Sequence, residues 1–156
     1  MELPDYGDAP FHCPPDDPVI GGIIIDLPCP PSVNRIWRAN RAGPNKVSKS
    51  AEYRSWLKRA DDLALSTGQF RGLKTIVGPF EAKIVLKRIR GDLDNRSKGV
   101  LDWLQSRGVI AEDKYCERLV LEWGDAPMGC RVTVRARKPT LNAVLHVAAE
   151  RAEASA

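Results

Sequence analysis

The sequence predicts a single α+β domain in which a mixed β-sheet of about four strands packs against two to three helices. Two observations lead to this prediction. Short β-branched runs alternate with stretches whose apolar residues recur every three to four positions, and two more strand-like runs follow. A chain of 156 residues, 43% of them hydrophobic, is long enough to bury one core. The order reads β-α-β-α-β-β-α, without an internal repeat.

Four runs of sequence predict the strands. Residues 19–27, VIGGIIIDL, are apolar and β-branched, and they end before a proline-rich stretch that lacks amide donors. Residues 78–89 form the second strand. In 117–124 and 130–137, apolar side chains alternate with polar ones. Residues 124–129 are predicted to be a hairpin loop, which would pair these last two strands directly.

The first predicted helix begins at Ser48 or Ser50, because either hydroxyl can accept a hydrogen bond from a free amide of the first turn. The helix continues to about Thr67 and Gly68, where the glycine ends it. Its apolar positions are spaced three or four residues apart and give one buried face: Tyr53, Trp56, Leu57, Ala60, Leu63 and Ala64.

The second predicted helix covers residues 95–107, with Asp94 as its N-cap and Gly108 as its stop signal. Its buried stripe consists of apolar residues on one side: Val100, Leu101, Trp103 and Leu104. Residues 140–152 predict a third, amphipathic helix, which could pack on its own domain or on a second subunit.

The charge of the chain is unevenly distributed. Residues 1–18 hold five prolines and five acidic residues without a lysine or arginine, which predicts a poorly ordered leader. The rest of the chain carries 24 basic and 15 acidic residues, a net charge of +9. A basic body is compatible with binding to DNA phosphates, although a solvated basic surface is the common alternative. The folded domain is expected to cover residues 19–139, followed by a helix or tail at 140–156.

Several classes of protein are not expected. No apolar run approaches the roughly 20 residues that span a bilayer. The N-terminus has neither the basic nor the apolar region of a secretion signal, so a cytoplasmic location is expected. The cysteines form no CxxC pair and should be reduced thiols, which argues against zinc. No GxxxxGK[ST], GxSxG or HExxH motif occurs, and no small-molecule cofactor is expected.

The most informative stretch is RGDLDNRSK, residues 90–98, between the second strand and the second helix. If this segment is extended, Asp92 and Asp94 point to the same side and can bind one divalent cation. Lys98 follows one helical turn after Asp94, where an ammonium group could stabilise a phosphate. A third acidic group follows downstream at Glu112 and Asp113.

These residues predict a metal site that hydrolyses phosphodiesters, because Mg²⁺ prefers carboxylate oxygens and can activate water. The candidate ligands are all acidic: Asp92, Asp94, Asp113 and, as an accessory, Glu112. Two simpler interpretations remain open. Asp94 could merely cap the helix, and the spacing of Asp94, Lys98 and Asp102 could produce surface ion pairs.

Residues 32–41, SVNRIWRANR, interleave arginines with asparagine and tryptophan. This mixture suits phosphate contact and base stacking. The alternative is a solvated loop whose Trp37 packs on the core. The candidate DNA contacts are polar or basic side chains of this segment and of the carboxylate stretch: Asn34, Arg35, Arg38, Arg41 and Arg96.

Three blocks of sequence, taken together and in this order, resemble the RusA family of Holliday junction resolvases. The first block is LPCPPSVNR at 27–35, followed by Arg38, Asn40 and Arg41. The second is DLDN at 92–95, followed by Lys98, Asp102 and Leu104. The third is GVIAED at 108–113, and the resemblance covers roughly residues 23 to 136.

The resemblance implies a homodimeric endonuclease that binds four-way DNA junctions and makes paired, symmetric nicks with Mg²⁺ or Mn²⁺. It also implies that Asp92, Asp94, Asp113 and Lys98 are the essential catalytic residues. The family usually has Asp-Asp in the third block, where Glu112 here replaces the first aspartate. Because members often occur in prophages, a phage-derived origin is implied too.

Two other functions remain open at this stage. One is a metal-dependent nuclease that acts on other branched DNA, such as flaps or replication forks. The other is a non-catalytic DNA-binding module, in which the acidic cluster only caps helices and forms ion pairs. The complete set of three aspartates with Lys98 argues against the non-catalytic module, whereas only a comparison of substrates separates the two nucleases.

Overall fold

The computed structural model describes residues 22–39 and 47–137, so the predicted leader at 1–18 and the predicted helix at 140–152 lie outside the described residues. The described residues form six strands and two helices: β1 Ile23–Pro28, β2 Trp37–Ala39, β3 Val47–Lys49, α1 Ala51–Ser66, β4 Phe80–Leu86, α2 Ser97–Ser106, β5 Cys116–Trp123 and β6 Gly129–Ala136. The predicted α+β domain, with a mixed four-stranded sheet and helices, is confirmed. Neither of these helices combines the length and the apolar composition that crossing a bilayer requires.

The four long strands form one sheet in the order β1-β6-β4-β5. Strand β6 is antiparallel to both β1 and β4, whereas β5 is parallel to β4. The prediction of a hairpin between β5 and β6 is therefore wrong, because β4 lies between them. A parallel pair needs a crossover connection, and α2 supplies it between β4 and β5.

One face of this sheet forms the core. Along β4 the side chains alternate between buried and more exposed positions, as expected for a sheet with one solvated face. The opposite face carries ion pairs such as Lys83 with Glu122. Most of the largest fully buried side chains come from both helices and from the inward face of the strands: Trp56, Trp103, Tyr53, Phe80, Ile25, Leu27, Ile84, Leu86 and Leu104.

Helix α1 begins as the sequence predicts, with Ser50 rather than Ser48 as its N-cap. The Ser50 hydroxyl accepts a hydrogen bond from the amide of Tyr53 at 3.1 Å. Further along α1, the indole N–H of Trp56 donates to the carbonyl of Pro28 at 2.9 Å, which fixes the helix against the end of β1. This contact places the proline-rich turn after β1 beside the helical layer.

Strand β4 and the segment before α1 differ from the prediction. Strand β4 is shorter than the predicted range of 78–89, because its pairing with both β5 and β6 stops at Leu86, where β5 ends and β6 has one residue left. No strand is predicted between β1 and α1, but the small antiparallel pair of β2 and β3 lies there. Strands of three residues are too short to show alternation in the sequence.

Candidate active site

The loop between β4 and α2 carries the predicted carboxylates, and its backbone is bent rather than extended. Beyond Leu86, Gly91 adopts a positive φ of 111° and Leu93 has helical backbone angles. The expectation that strand alternation aims Asp92 and Asp94 in one direction is therefore wrong. The segment has left the sheet, so no ladder holds it extended. Both aspartates are exposed.

Asp94 begins a 3₁₀ turn instead of capping α2. Its main-chain carbonyl accepts a hydrogen bond from the Ser97 hydroxyl at 2.9 Å, while Arg96 occupies the N-cap position without a side-chain cap bond. The predicted N-cap is thus wrong, because the turn Asp94–Arg96 intervenes before the helix. In the part of the chain that the structure describes, the Asp94 carboxylate makes no hydrogen bond or ion pair. It is accessible to a cation.

Lys98, in the first turn of α2, is shared by two carboxylates. Its ammonium lies 2.7 Å from Oδ1 of Asp102 and 2.9 Å from Oδ2 of Asp113. The hydrogen bonds that Lys98 donates to Asp102, and then to Asp113, raise the pKa of Lys98 above its ordinary value. Lys98 is therefore a permanent cation at neutral pH, and it joins the second and third sequence blocks across 15 positions.

The third block reaches this point through a second contact with α2. The amide of Asp113 donates to Oε1 of Gln105 at 3.0 Å, which holds the short turn Asp113–Tyr115 against the helix. The neighbouring Glu112 forms an ion pair with Lys114 at 2.9 Å. Lys98, Asp102 and Gln105 thus lie along one side of α2 facing the third block, as their i, i+4, i+7 spacing allows.

The residues predicted to contact DNA do not all lie on the same element. Asn34 and Arg35 lie exposed in the 3₁₀ turn Val33–Arg35, and Nη1 of Arg35 is 3.6 Å from Oε1 of Glu52. Trp37 is 50% exposed, which rules out the interpretation that it packs in the core. Arg38 belongs to β2, whereas Arg41 lies outside the described residues.

The first and second blocks meet in a polar cleft of about 420 Å³. The sequence analysis assigns no role to Arg90, although its position directly before the stretch with Asp92 and Asp94 could have indicated one. The residues that line the cleft are Ser32, Asn34, Arg35, Glu52, Arg90, Gly91, Asp92, Asn95 and Arg96. A larger depression of about 520 Å³ lies over β4, β5 and β6, and none of the predicted site residues lines it.

The donor set can be compared with what a divalent metal ion needs. Among residues 22–39 and 47–137, no group of three or more His, Cys, Asp or Glu side chains is arranged to hold a metal ion. Asp92 and Asp94 nevertheless fit a hard cation by their chemistry, because they are exposed carboxylates. Asp113 uses Oδ2 for Lys98, which leaves Oδ1 as its remaining donor atom.

Comparison with known proteins adds no identification. No protein-family model matches the chain, and no curated protein is significantly similar to it.

Proposed function

We propose that this protein is a divalent-metal-dependent endonuclease that resolves four-way DNA junctions by paired, symmetric nicks. The contact between Lys98 and Asp113 carries the proposal, because it joins two of the three sequence blocks at one exposed surface. Two symmetric nicks require two copies of the site, so the proposed working unit is a homodimer with two-fold symmetry. Its proposed place of action is the cytoplasm.

The residues divide into two roles in this proposal. Asp92 and Asp94 supply carboxylate oxygens to Mg²⁺ or Mn²⁺, with Asp113 as the third ligand and Glu112 as an accessory. When bound, the ion activates water and stabilises negative charge on the phosphate. Lys98 carries its positive charge throughout the neutral range and stabilises charge that develops on the cleaved phosphodiester.

Binding of DNA is assigned to the polar cleft and its surroundings. Arg35 and Arg90 lie in its lining beside Asp92, so a phosphate that enters the cleft meets two guanidinium groups next to a metal-binding carboxylate. The exposed Trp37 offers a surface on which a base can stack. The net charge of +9 outside the leader supports association with the DNA backbone.

The proposal is tested by offering the full-length protein a mobile four-way junction, a fork, a flap and a linear duplex, with Mg²⁺ and with a chelator. We expect symmetric nicks in the junction only when the metal is present. Faster cleavage of the fork or flap would favour a nuclease for other branched DNA. Binding to the junction without cleavage of any substrate would favour a non-catalytic DNA-binding module.

Replacement of Asp94 by Asn tests the site itself. The amide removes a charged metal ligand, so we expect single-turnover cleavage to fall by at least about 100-fold. Junction affinity should stay the same or rise, because one negative charge near the DNA is lost. The matched control is Asp125→Asn, which neutralises an exposed aspartate in the connection between β5 and β6. Cleavage by Asp94→Asn at the wild-type rate would contradict the assignment.

A further inference from the structure

The guanidinium of Arg96 is bound by main-chain carbonyls of the protein. Its Nη1 donates to the carbonyl of Pro30 at 2.6 Å, and its Nη2 donates to the carbonyl of Arg90 at 3.2 Å. Its Nε is shielded from solvent and has no hydrogen-bond partner. Arg96 therefore connects the turn after β1 to the loop after β4, through one donor of each Nη atom.

Arg96 also closes the loop that carries the candidate carboxylates. Its amide donates to the carbonyl of Leu93 at 3.3 Å, which closes the turn around Asp94. Its side chain holds the carbonyl of Arg90, two residues before Asp92. Residues 90–96, hereafter the carboxylate loop, are thus fixed by Arg96 at two points. Asp92 lies between the two loop carbonyls that Arg96 binds, and Asp94 lies between the second of them and Arg96 itself.

The close fit around the guanidinium supports this role. Gly91 has a φ of 111°, a conformation that side-chain-bearing residues rarely adopt. A Cβ atom added at Gly91 would lie 3.4 Å from Nη2 of Arg96, so the turn passes directly against the guanidinium. The other anchor, Pro30, is itself buried. A planar guanidinium can donate to two carbonyls at once, whereas a lysine ammonium lacks that rigid fork.

We propose that Arg96 is a positioning residue that holds the carboxylate loop against Pro30 and does not bind DNA phosphate. This assignment replaces the DNA contact expected from the sequence. Its catalytic consequence rests on the proposed function, because a loosened loop would misplace Asp92 and Asp94 as metal ligands. The ordering of the loop itself does not depend on any activity and can be measured separately.

The first experiment measures hydrogen exchange by mass spectrometry in the full-length protein, without metal or DNA. In Arg96→Lys, we expect exchange in residues 87–95 to accelerate by roughly tenfold or more, as for the loss of one charge-assisted hydrogen bond. Exchange in β6 should not change, which shows that the variant is folded. Arg59→Lys, at an exposed position of α1, serves as the matched control. Unchanged exchange in residues 87–95 would overturn the inference.

The second experiment separates positioning from DNA contact. We expect Arg96→Lys to cleave the junction roughly 10- to 100-fold more slowly in single turnover, because small displacements of catalytic groups have such effects. In Arg96→Gln, the dependence of junction affinity on salt should keep the wild-type slope. If the slope of log affinity against log salt concentration became shallower by about one, Arg96 would be a phosphate contact, and the inference would be overturned. If the wild type cuts no substrate, the proposed function fails, and the exchange experiment alone decides the role of Arg96.

Discussion

The charge state of Lys98 follows from its two carboxylate neighbours. Asp102 and then Asp113 raise the pKa of Lys98 by hydrogen bonding, so the ammonium form is favoured in the folded protein. The stabilisation that these contacts give the folded protein is complete below the ordinary lysine pKa of about 10.4. It is lost only as the pH rises through the raised pKa of Lys98. Throughout the neutral range Lys98 is a cation and not a base that removes a proton from water.

Substitutions of Lys98 check this role. We expect Lys98→Met to reduce single-turnover cleavage of the junction by roughly 100- to 1,000-fold, as for the loss of other groups that stabilise developing charge. Lys98→Arg should retain clearly more activity, because it keeps the cation. Lys58→Met, at an exposed position of α1, is the control. Equal inactivity of the Met and Arg variants, from pH 6 to 9, would contradict a purely electrostatic role.

Single residues show which contacts the sequence can predict and which it cannot. The ion pair of Lys98 with Asp102 is predictable from i, i+4 spacing on a helix. The second partner of Lys98 is Asp113, which lies on a different element. The sequence motif identified Asp113 as a site residue but did not show that it contacts Lys98. Arg96 illustrates the opposite case. Its type and neighbours suggest DNA binding, but only the fold reveals the carbonyls that use its donors.

At the scale of elements, Ser50 links helix α1 to the first block. Its hydroxyl accepts from the amide of Tyr53 and donates to the carbonyl of Arg35, and its own amide donates to the carbonyl of Ile36 at 2.8 Å. Ser50 is only 5% exposed. The start of the helix and the turn that presents Arg35 to the cleft therefore depend on the same side chain.

Replacement of Ser50 by Ala should lower the free energy of unfolding by about 1–2 kcal/mol, because the helix loses its N-cap and the carbonyl of Arg35 loses a donor. The measurement is equilibrium unfolding in urea. Ser55→Ala, at an exposed position in the middle of α1, should change stability by no more than about 0.5 kcal/mol. Equal stability of both variants would show that Ser50 does not fix the start of the helix.

The elements also show why the topology was only partly predictable. Apolar alternation identified β5 and β6. In β6 the alternating valines are buried, whereas in β5 Leu121 and Trp123 are only partly buried and Leu119 is exposed. Alternation says nothing about which strand lies alongside, and a connection of a few residues favours a hairpin. In the folded chain, Gly124 donates to the carbonyl of Leu86, so the connection crosses the end of β4 instead.

At the scale of the whole molecule, the acidic leader opposes the basic body. The full chain has a net charge of +4, and the chain without residues 1–18 has +9. The leader should compete with DNA for the basic surface, so its deletion should tighten junction binding at low salt. The difference should fade toward 1 M salt, where the screening length falls to about 3 Å.

Binding isotherms over a salt series measure this effect. The control is a leader of unchanged length in which all five acidic residues are replaced by Asn or Gln, which should bind as the truncated protein does. Cleavage should be retained in both variants. Loss of folding on deletion, seen by circular dichroism, would instead show that the leader is a structural part of the domain.

The strand order has a consequence for synthesis on the ribosome. Strand β1 is made first, yet among the described strands its neighbour in the sheet is β6, the last to be made. Asp26 of β1 and its partner Arg131 of β6 are 105 positions apart, which corresponds to roughly 5–20 s of translation. Until β6 leaves the exit tunnel, β1 and β4 share no neighbour, so the backbone edge of β1 that pairs with β6 stays open. Translation that stops before residue 129 therefore yields a chain that contains the complete carboxylate loop but cannot close its sheet.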